Sequence, residues 1–149
     1  MFGRLIGVLT SSAVLLALTG CGAGGANVRN AGGSLAPCSG APHCVSSVSS
    51  DEDRAVAPMH YSGSMDAAQR AMAKIIGNFG NGAVVENTPG YMRAEFTSAM
   101  FHYVDDVEFL FQDDRSIQVR SASRIGYYDF GANRKRVEEI RKAFDAVQP

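Results

Sequence analysis

The sequence has 149 residues, in which 14 Lys and Arg residues nearly balance 15 Asp and Glu residues, and its formal net charge at pH 7 is -1. This balance provides no basic field to attract phosphates, so the composition argues against nucleic-acid binding. The length fits one domain behind a short leader and is enough to bury a modest core.

The first 20 residues have the pattern of a bacterial lipoprotein signal. Arg4 precedes an apolar run from Leu5 to Leu18, and small residues then lead directly to Cys21. The run is short for a membrane span, and small residues before a cysteine indicate cleavage at that point. We therefore expect a mature chain that begins at Cys21 and carries fatty acyl chains such as palmitate, which together give stable anchoring. The alternatives are an ordinary signal cut nearby and an apolar run that is retained as an anchor.

This signal predicts a protein that is lipid-anchored in a bacterial cell envelope, with its domain outside the cytoplasm. Gly22 follows the anchor residue, which suits a periplasm-facing place on the outer membrane if the source has two membranes. Residues 21–37 are rich in Gly, Ala, Asn and Ser and are predicted to form a flexible tether. Residues 38–149 are predicted to form a single globular domain.

The other two cysteines, Cys38 and Cys44, lie close together and are predicted to form a disulfide. Export places them in an oxidising compartment, and the Gly and Pro between them suit a tight loop. A metal site using Cys38, His43 and Cys44 is the alternative, although a fourth ligand is not evident. A redox-active pair is less favoured because the spacing is not Cys-x-x-Cys. We expect no metal and no cofactor.

Two helices are predicted from apolar residues at helical spacing. The first begins near Asp66 with Ser64 as its cap, and glycines from Gly77 onward end it. Its apolar face comprises Ala68, Ala71, Met72, Ile75, Ile76 and Phe79. The second helix is predicted over residues 133–146, with Val137, Ile140, Phe144 and Val147 along one stripe.

Strand-like segments lie between the two helices. They are residues 83–86, 91–99, 107–112 and 116–122. Placing Phe111 opposite Ile117 aligns the apolar faces of the last two segments, and it puts Glu108 opposite Arg120 on the other face. The turn between them is predicted at residues 113–115.

This order of elements predicts an α+β fold. Consecutive strands without helices between them favour an antiparallel sheet, here of about four strands, with both amphipathic helices packed on one face. Residues 45–59 are polar and are predicted to be an extended, weakly structured lead-in.

Cations gather where the second helix is predicted to begin. Arg134, Lys135 and Arg136 occupy its first turn, where the helix dipole is already positive. One interpretation is ion pairing with the acidic residues of 105–114, which already includes Glu108 with Arg120. The other is an anion-binding surface for a carboxylate, phosphate or lipid head group. The candidate anion-binding residues are Ser123, Arg124, Arg134 and Arg136.

Patterns of catalytic residues are weak. The candidate nucleophiles Ser46, Ser47, Ser121 and Ser123 lack a Gly-x-Ser-x-Gly elbow or a paired histidine. Asp105 and Asp106 are adjacent, so on a strand they would point to opposite faces. The favoured function is therefore a non-enzymatic binding or structural domain, with an anionic ligand or an envelope protein as partner. The alternative is a hydrolase or transferase acting on an envelope substrate, indicated by a pocket that joins Ser123, Asp129 and His102.

Three sequence blocks in the same order resemble the domain-of-unknown-function family 1499 (DUF1499). They are CSGAPHCVSS at residues 38–47, VDDVEF at residues 104–109, and the stretch from RSASRIG to DFGANR with RV at residues 120–137. The resemblance covers nearly all of the chain from residue 38, and it departs from the family pattern at His43, where Asn is usual. It implies a bacterial protein that is often exported or membrane-associated. It supplies no catalytic residues, because the family has no assigned activity.

Overall fold

The computed structural model of the protein describes residues 33–38 and 40–147. In chain order the elements are β1 (Cys44–Ser46), β2 (Met59–His60), α1 (Met65–Asn78), β3 (Gly82–Thr88), β4 (Tyr91–Thr97), β5 (Val104–Phe111), β6 (Ser116–Ser123) and α2 (Ala132–Asp145). The α+β class and the antiparallel sheet are therefore confirmed. The predicted signal, the predicted lipid site at Cys21 and most of the predicted tether lie outside the described residues.

The sheet has six strands, so the prediction of about four is wrong. Its order is β1-β6-β5-β4-β3, and β2 shares with β1 the outer edge of β6. On that edge Ser46 pairs with Arg120, and Met59 pairs with Ile117. Both extra strands come from the polar segment that was expected to be a lead-in. With three and two residues they are too short to show alternation, and only their pairing with β6 makes them strands.

The predicted register between β5 and β6 is confirmed. Phe109 pairs with Val119, and Glu108 pairs with Arg120. The turn falls at residues 113–115 as predicted, and Arg115 completes it with a positive φ of 67°. Because side chains alternate along a strand, this register sends the aromatic residues of β5 to one face of the sheet and its central carboxylates to the other.

The helices begin close to their predicted positions. The Ser64 hydroxyl accepts a hydrogen bond from the backbone N–H of Ala67 at 3.2 Å, which is the predicted N-cap of α1. Along α2, the side chains of Val137, Ile140 and Phe144 are buried. Val147, which was predicted to continue this stripe, is 56% exposed. The helix ends at Asp145, so Val147 no longer follows the helical spacing.

One hydrophobic core joins both helices to one face of the sheet. Its largest fully buried members are Met59, Met72, Ile76, Met92, Phe96, Phe109, Ile117, Ile140 and Phe144. Leu35 is also buried, at 3% exposure, although it lies in the predicted tether. The packed part of the chain therefore includes a residue ahead of Cys38. No helix in the described residues has the length and apolar character needed to cross a membrane.

We expect Phe109→Ala to lower the free energy of unfolding by about 3–5 kcal/mol, because it removes a fully buried ring from the core. The matched control is Phe130→Ala, which deletes the same ring at a site that is 91% exposed and should change stability by less than about 0.5 kcal/mol. Guanidinium denaturation of both variants measures the difference. Equal losses in the two variants would contradict the assignment of β5 to the core.

Candidate binding site at the start of the second helix

Three connecting segments meet at one end of the sheet, beside the start of α2. They are the chain leading into β1, the β4–β5 loop (residues 98–103) and the β6–α2 loop (residues 124–131). The backbone N–H of Ser123 donates to the carbonyl of His43 at 3.2 Å, and that of Arg124 donates to the carbonyl of Val104 at 3.1 Å. The ends of β1, β5 and β6 are thereby held together.

The side chain of Asn133 connects these segments from within. It is fully buried, and its amide group donates to the His43 carbonyl at 3.0 Å and to the Asp129 carboxylate at 2.8 Å. Its remaining partners are the hydroxyls of Ser121 and Ser123 and the guanidinium of Arg136. One side chain therefore links the chain entry, β6, the β6–α2 loop and α2.

Asp129 occupies the position at the helix start where an external anion would bind. Its carboxylate accepts hydrogen bonds from the backbone N–H groups of Gly131 at 3.0 Å and Asn133 at 2.9 Å. Burial opposes the charge on Asp129, but these hydrogen bonds prevail and lower its pKa below the ordinary value. The chain thus supplies its own negative group to the positive end of α2.

Arg124 and Arg136, two of the predicted anion-binding residues, are ion-paired within the protein. Arg124 binds both oxygens of Asp106, at 2.7 and 2.8 Å, and also contacts Glu95. The hydrogen bond to Asp106 raises the pKa of Arg124. Arg136 binds Asp105 at 2.7 Å, and its guanidinium lies 4.9 Å from the centre of the Phe96 ring. For both arginines the ion-pairing interpretation describes the structure.

Arg134 differs from these two arginines. Its guanidinium donates to the backbone carbonyls of Asp53 and Ala55, both at 2.8 Å, and these acceptors carry no net charge. Within the described chain no carboxylate forms a salt bridge with it. Arg134 lines a cavity of about 320 Å³ together with Asp53, Tyr128 and Asp129. Of the predicted cations, it is the one whose charge is unmatched at short range.

Exposed aromatic and aliphatic side chains surround a second cavity, of about 230 Å³, at the same end of the sheet. We call five of its lining residues the aromatic rim: Phe101, Tyr103, Ile125, Tyr128 and Phe130. Phe130 is 91% exposed and Phe101 is 63% exposed. Asp105, Ser123 and Asp129 line the cavity between them.

The four rings of the aromatic rim form two pairs that line the same cavity. The rings of Phe101 and Tyr103 are stacked with their centres 5.4 Å apart, and those of Tyr128 and Phe130 meet edge to face at 5.1 Å. Met100 and Tyr127 flank the rim and are 79% and 74% exposed. A continuous exposed apolar surface beside polar groups is typical of an interaction site.

The periodicity of the sequence does not predict this surface. Its residues lie in loops and follow neither helical nor strand spacing, so a search for periodicity passes over them. A usable signal was present in the density of large apolar residues at 100–103 and 125–130, outside every predicted element.

The pocket that would join Ser123, Asp129 and His102 is found only in part. The aromatic-rim cavity includes Ser123 and Asp129, but His102 is not part of its lining. The Ser123 hydroxyl contacts the amide of Asn133, and the Ser47 hydroxyl donates to the amide oxygen of Gln118 at 2.7 Å. The described part of the chain contains no group of three His, Cys, Asp or Glu side chains suited to a metal ion. The predicted disulfide between Cys38 and Cys44 is confirmed.

Buried charges occupy the sheet face that points away from the helices. Glu108 is fully buried, accepts from the Tyr91 hydroxyl at 3.0 Å and pairs with Arg120 at 3.2 Å, as the register predicted. Asp106 lies on the same face, whereas Asp105 lies on the helix face, so the two adjacent carboxylates are separated as expected. Burial raises the pKa of Glu108 to about 7.

Comparison with known proteins identifies one family. The model of the family described as "Protein of unknown function (DUF1499)" matches residues 34–144. Neither a curated protein nor a solved structure was found to match the chain.

We expect the free energy of unfolding to decrease between about pH 4.5 and 7, in part because of Glu108. Its pKa is higher in the folded chain, so its protonated form stabilises the fold below its unfolded pKa of 4.5, and this contribution is lost as the pH rises through about 7. Glu108→Gln, which cannot ionise, should flatten this part of the profile. Urea denaturation at a series of pH values measures the slope.

The control for this experiment is Glu52→Gln, which removes an exposed carboxylate and should leave the slope unchanged. A Glu108→Gln profile as steep as that of the wild type would show that Glu108 does not titrate in this range.

Proposed function

Since the chain belongs to the DUF1499 family, whose description assigns no activity, we propose a function from the site itself. We propose a bacterial envelope protein, anchored by lipid at Cys21, whose domain is a non-enzymatic binding module. The observation that carries this proposal is the aromatic rim around its cavity. The anchoring part rests on the sequence pattern at residues 1–21.

The aromatic rim supports binding because a ligand that covers these apolar side chains removes them from water, which is favourable in free energy. Moving a large apolar side chain out of water is worth about 1.5–3 kcal/mol, and Phe130 is 91% exposed in the free domain. Asp105, Ser123 and Asp129 add polar groups beside the rings, and a few such groups orient a ligand in an otherwise apolar site. The hydroxyls of Ser47 and Ser123 contact side-chain amides, which supports binding rather than nucleophilic chemistry at these two serines.

Arg134 supports a negatively charged group on the ligand. Its cavity shares Tyr128 and Asp129 with the aromatic-rim cavity, so the two cavities are adjacent. A ligand with an apolar body and an acidic group fits this pair of cavities, with the acidic group at Arg134. Asp53 and Asp129 also line the Arg134 cavity, and because ionised carboxylates only accept hydrogen bonds, the ligand would need donor groups, such as hydroxyls, facing them.

We expect the chain isolated from its native membrane to begin at Cys21 and to carry the mass of its acyl chains. Cys21→Ser removes the thiol that would be acylated. That variant should therefore lack the added mass, have a different N-terminus and no longer be found in the membrane fraction. Gly22→Ala, a neighbouring substitution that keeps the thiol, is the control. Mass spectrometry of the intact chain reads both features. An uncut and unacylated wild-type chain would refute the anchoring proposal.

We expect the folded domain to bind anilinonaphthalene sulfonate, a fluorescent probe with apolar rings and one negative group. Its fluorescence should rise on binding the wild type and rise much less with Phe130→Ser, because that variant removes the most exposed ring of the aromatic rim. Val147→Ser is the matched control, since it deletes an exposed apolar side chain outside the rim. Circular dichroism verifies that each variant is folded.

The charged part of the site is tested in the same titration with Arg134→Ala. This variant should bind the probe more weakly than Arg70→Ala, which removes the same charge from an exposed position on α1. Equal binding by the two variants would contradict a role for Arg134, and no enhancement by the folded wild type would contradict the binding proposal as a whole.

A further inference from the structure

We infer that the aromatic rim docks on the surface of the bilayer that holds the lipid anchor, so that its cavity opens towards the membrane. This inference rests on the proposed lipid anchoring and names the partner of the same site. Three observations carry it: where the chain enters the domain, which side chains form the aromatic rim, and how charge is distributed between the two ends of the sheet.

The chain enters the domain at the end that carries the aromatic rim. The disulfide holds the Cα of Cys38 5.6 Å from that of Cys44, and Cys44 pairs with Ala122 near the end of β6. The β6–α2 loop, which contributes most of the aromatic rim, begins two residues after Ala122. The chain at Cys38 therefore lies beside the end of the sheet that carries the aromatic rim.

The predicted tether is short enough to keep this end near the membrane. The 14 residues at positions 21–34, ahead of the buried Leu35, have the composition of a flexible linker. A linker of this length and type has a root-mean-square span of about 19–22 Å. A domain held so closely meets the bilayer often, and the end at which its tether enters faces the bilayer most readily.

The side chains of the aromatic rim are those that favour a membrane interface. Tyr103 and Tyr128 combine an apolar ring with a polar hydroxyl, the character of the aromatic belts of membrane proteins. Phe130 and Phe101 supply exposed apolar rings for the acyl boundary. The insertion of such rings adds a second contact to the acyl anchor, and paired signals are the usual basis of stable membrane attachment.

Charge at the two ends of the sheet fits this orientation. At the aromatic-rim end, Asp105 is neutralised by Arg136 at 2.7 Å, and Asp129 is bound by amide groups of α2. At the opposite end, the β5–β6 turn exposes Asp113 and Asp114. This acidic turn thus points towards water when the aromatic rim faces lipid. The exposed Asp53, which lies at the aromatic-rim end, shares its cavity with the cation Arg134.

Tryptophan fluorescence tests the inference directly, because the sequence contains no tryptophan. The full chain is reconstituted in phosphatidylethanolamine and phosphatidylglycerol vesicles as single-tryptophan variants. In Phe130→Trp and Phe101→Trp the emission should shift to shorter wavelength and be quenched by lipids brominated in their acyl chains. Asp113→Trp, at the opposite end of the sheet, should show neither effect.

Mass spectrometry of the same samples separates this inference from the proposed anchoring. An acylated chain whose Phe130→Trp and Phe101→Trp emission is unquenched would overturn membrane docking and leave the anchor in place. An unacylated chain that is nevertheless quenched would refute the anchor and support docking. A blue shift that appears without lipid and grows with protein concentration would assign the aromatic rim to a second copy of the chain and would also overturn the inference.

Discussion

The buried side chain of Asn133 is the interaction on which the rest of this site depends. A fully buried amide must satisfy both its donor and acceptor groups, and here these reach the chain entry at His43, the hydroxyls of β6, the Asp129 cap and Arg136. The network brings two loops and the start of α2 to one end of the sheet. Apolar packing alone would not specify this arrangement, because it is not directional. These hydrogen bonds hold the β6–α2 loop, which carries Ile125, Tyr128 and Phe130 of the aromatic rim.

The acidic residues of β5 explain why most of the cations near α2 are not free. Asp105 and Asp106 are consecutive and therefore point to opposite faces, so each meets a different partner, Arg136 on the helix face and Arg124 on the other. Two-point binding of Arg124 to Asp106 is the strong geometry for this ion pair. A cluster of positive charge in the sequence thus becomes a set of paired charges in the fold. Arg134 alone among the predicted cations points its guanidinium at uncharged carbonyls.

The proposed function joins two features that lie far apart in the sequence. The predicted signal ahead of Cys21 is the basis of the proposed membrane attachment, and the aromatic rim, built from residues 101–130, is an exposed apolar surface. The disulfide between Cys38 and Cys44 fixes the chain at Cys38 beside the end of β6, close to the β6–α2 loop. In the proposed function, anchoring and binding would then act at the same end of the domain, and the membrane itself would be a partner of the site.

Local patterns in the sequence determined the helices, the four long strands and the register that pairs Glu108 with Arg120. Each follows from the spacing of apolar residues, and burial of the core enforces that spacing. The two short strands, the exposure of Val147 and the division of the arginines were decided only in the tertiary structure. A segment of two or three residues becomes a strand only when it pairs with a neighbouring strand. Whether an arginine is ion-paired depends on which carboxylate folding brings close to it. The aromatic rim belongs to this second group, since its rings form one surface only where two loops are held side by side.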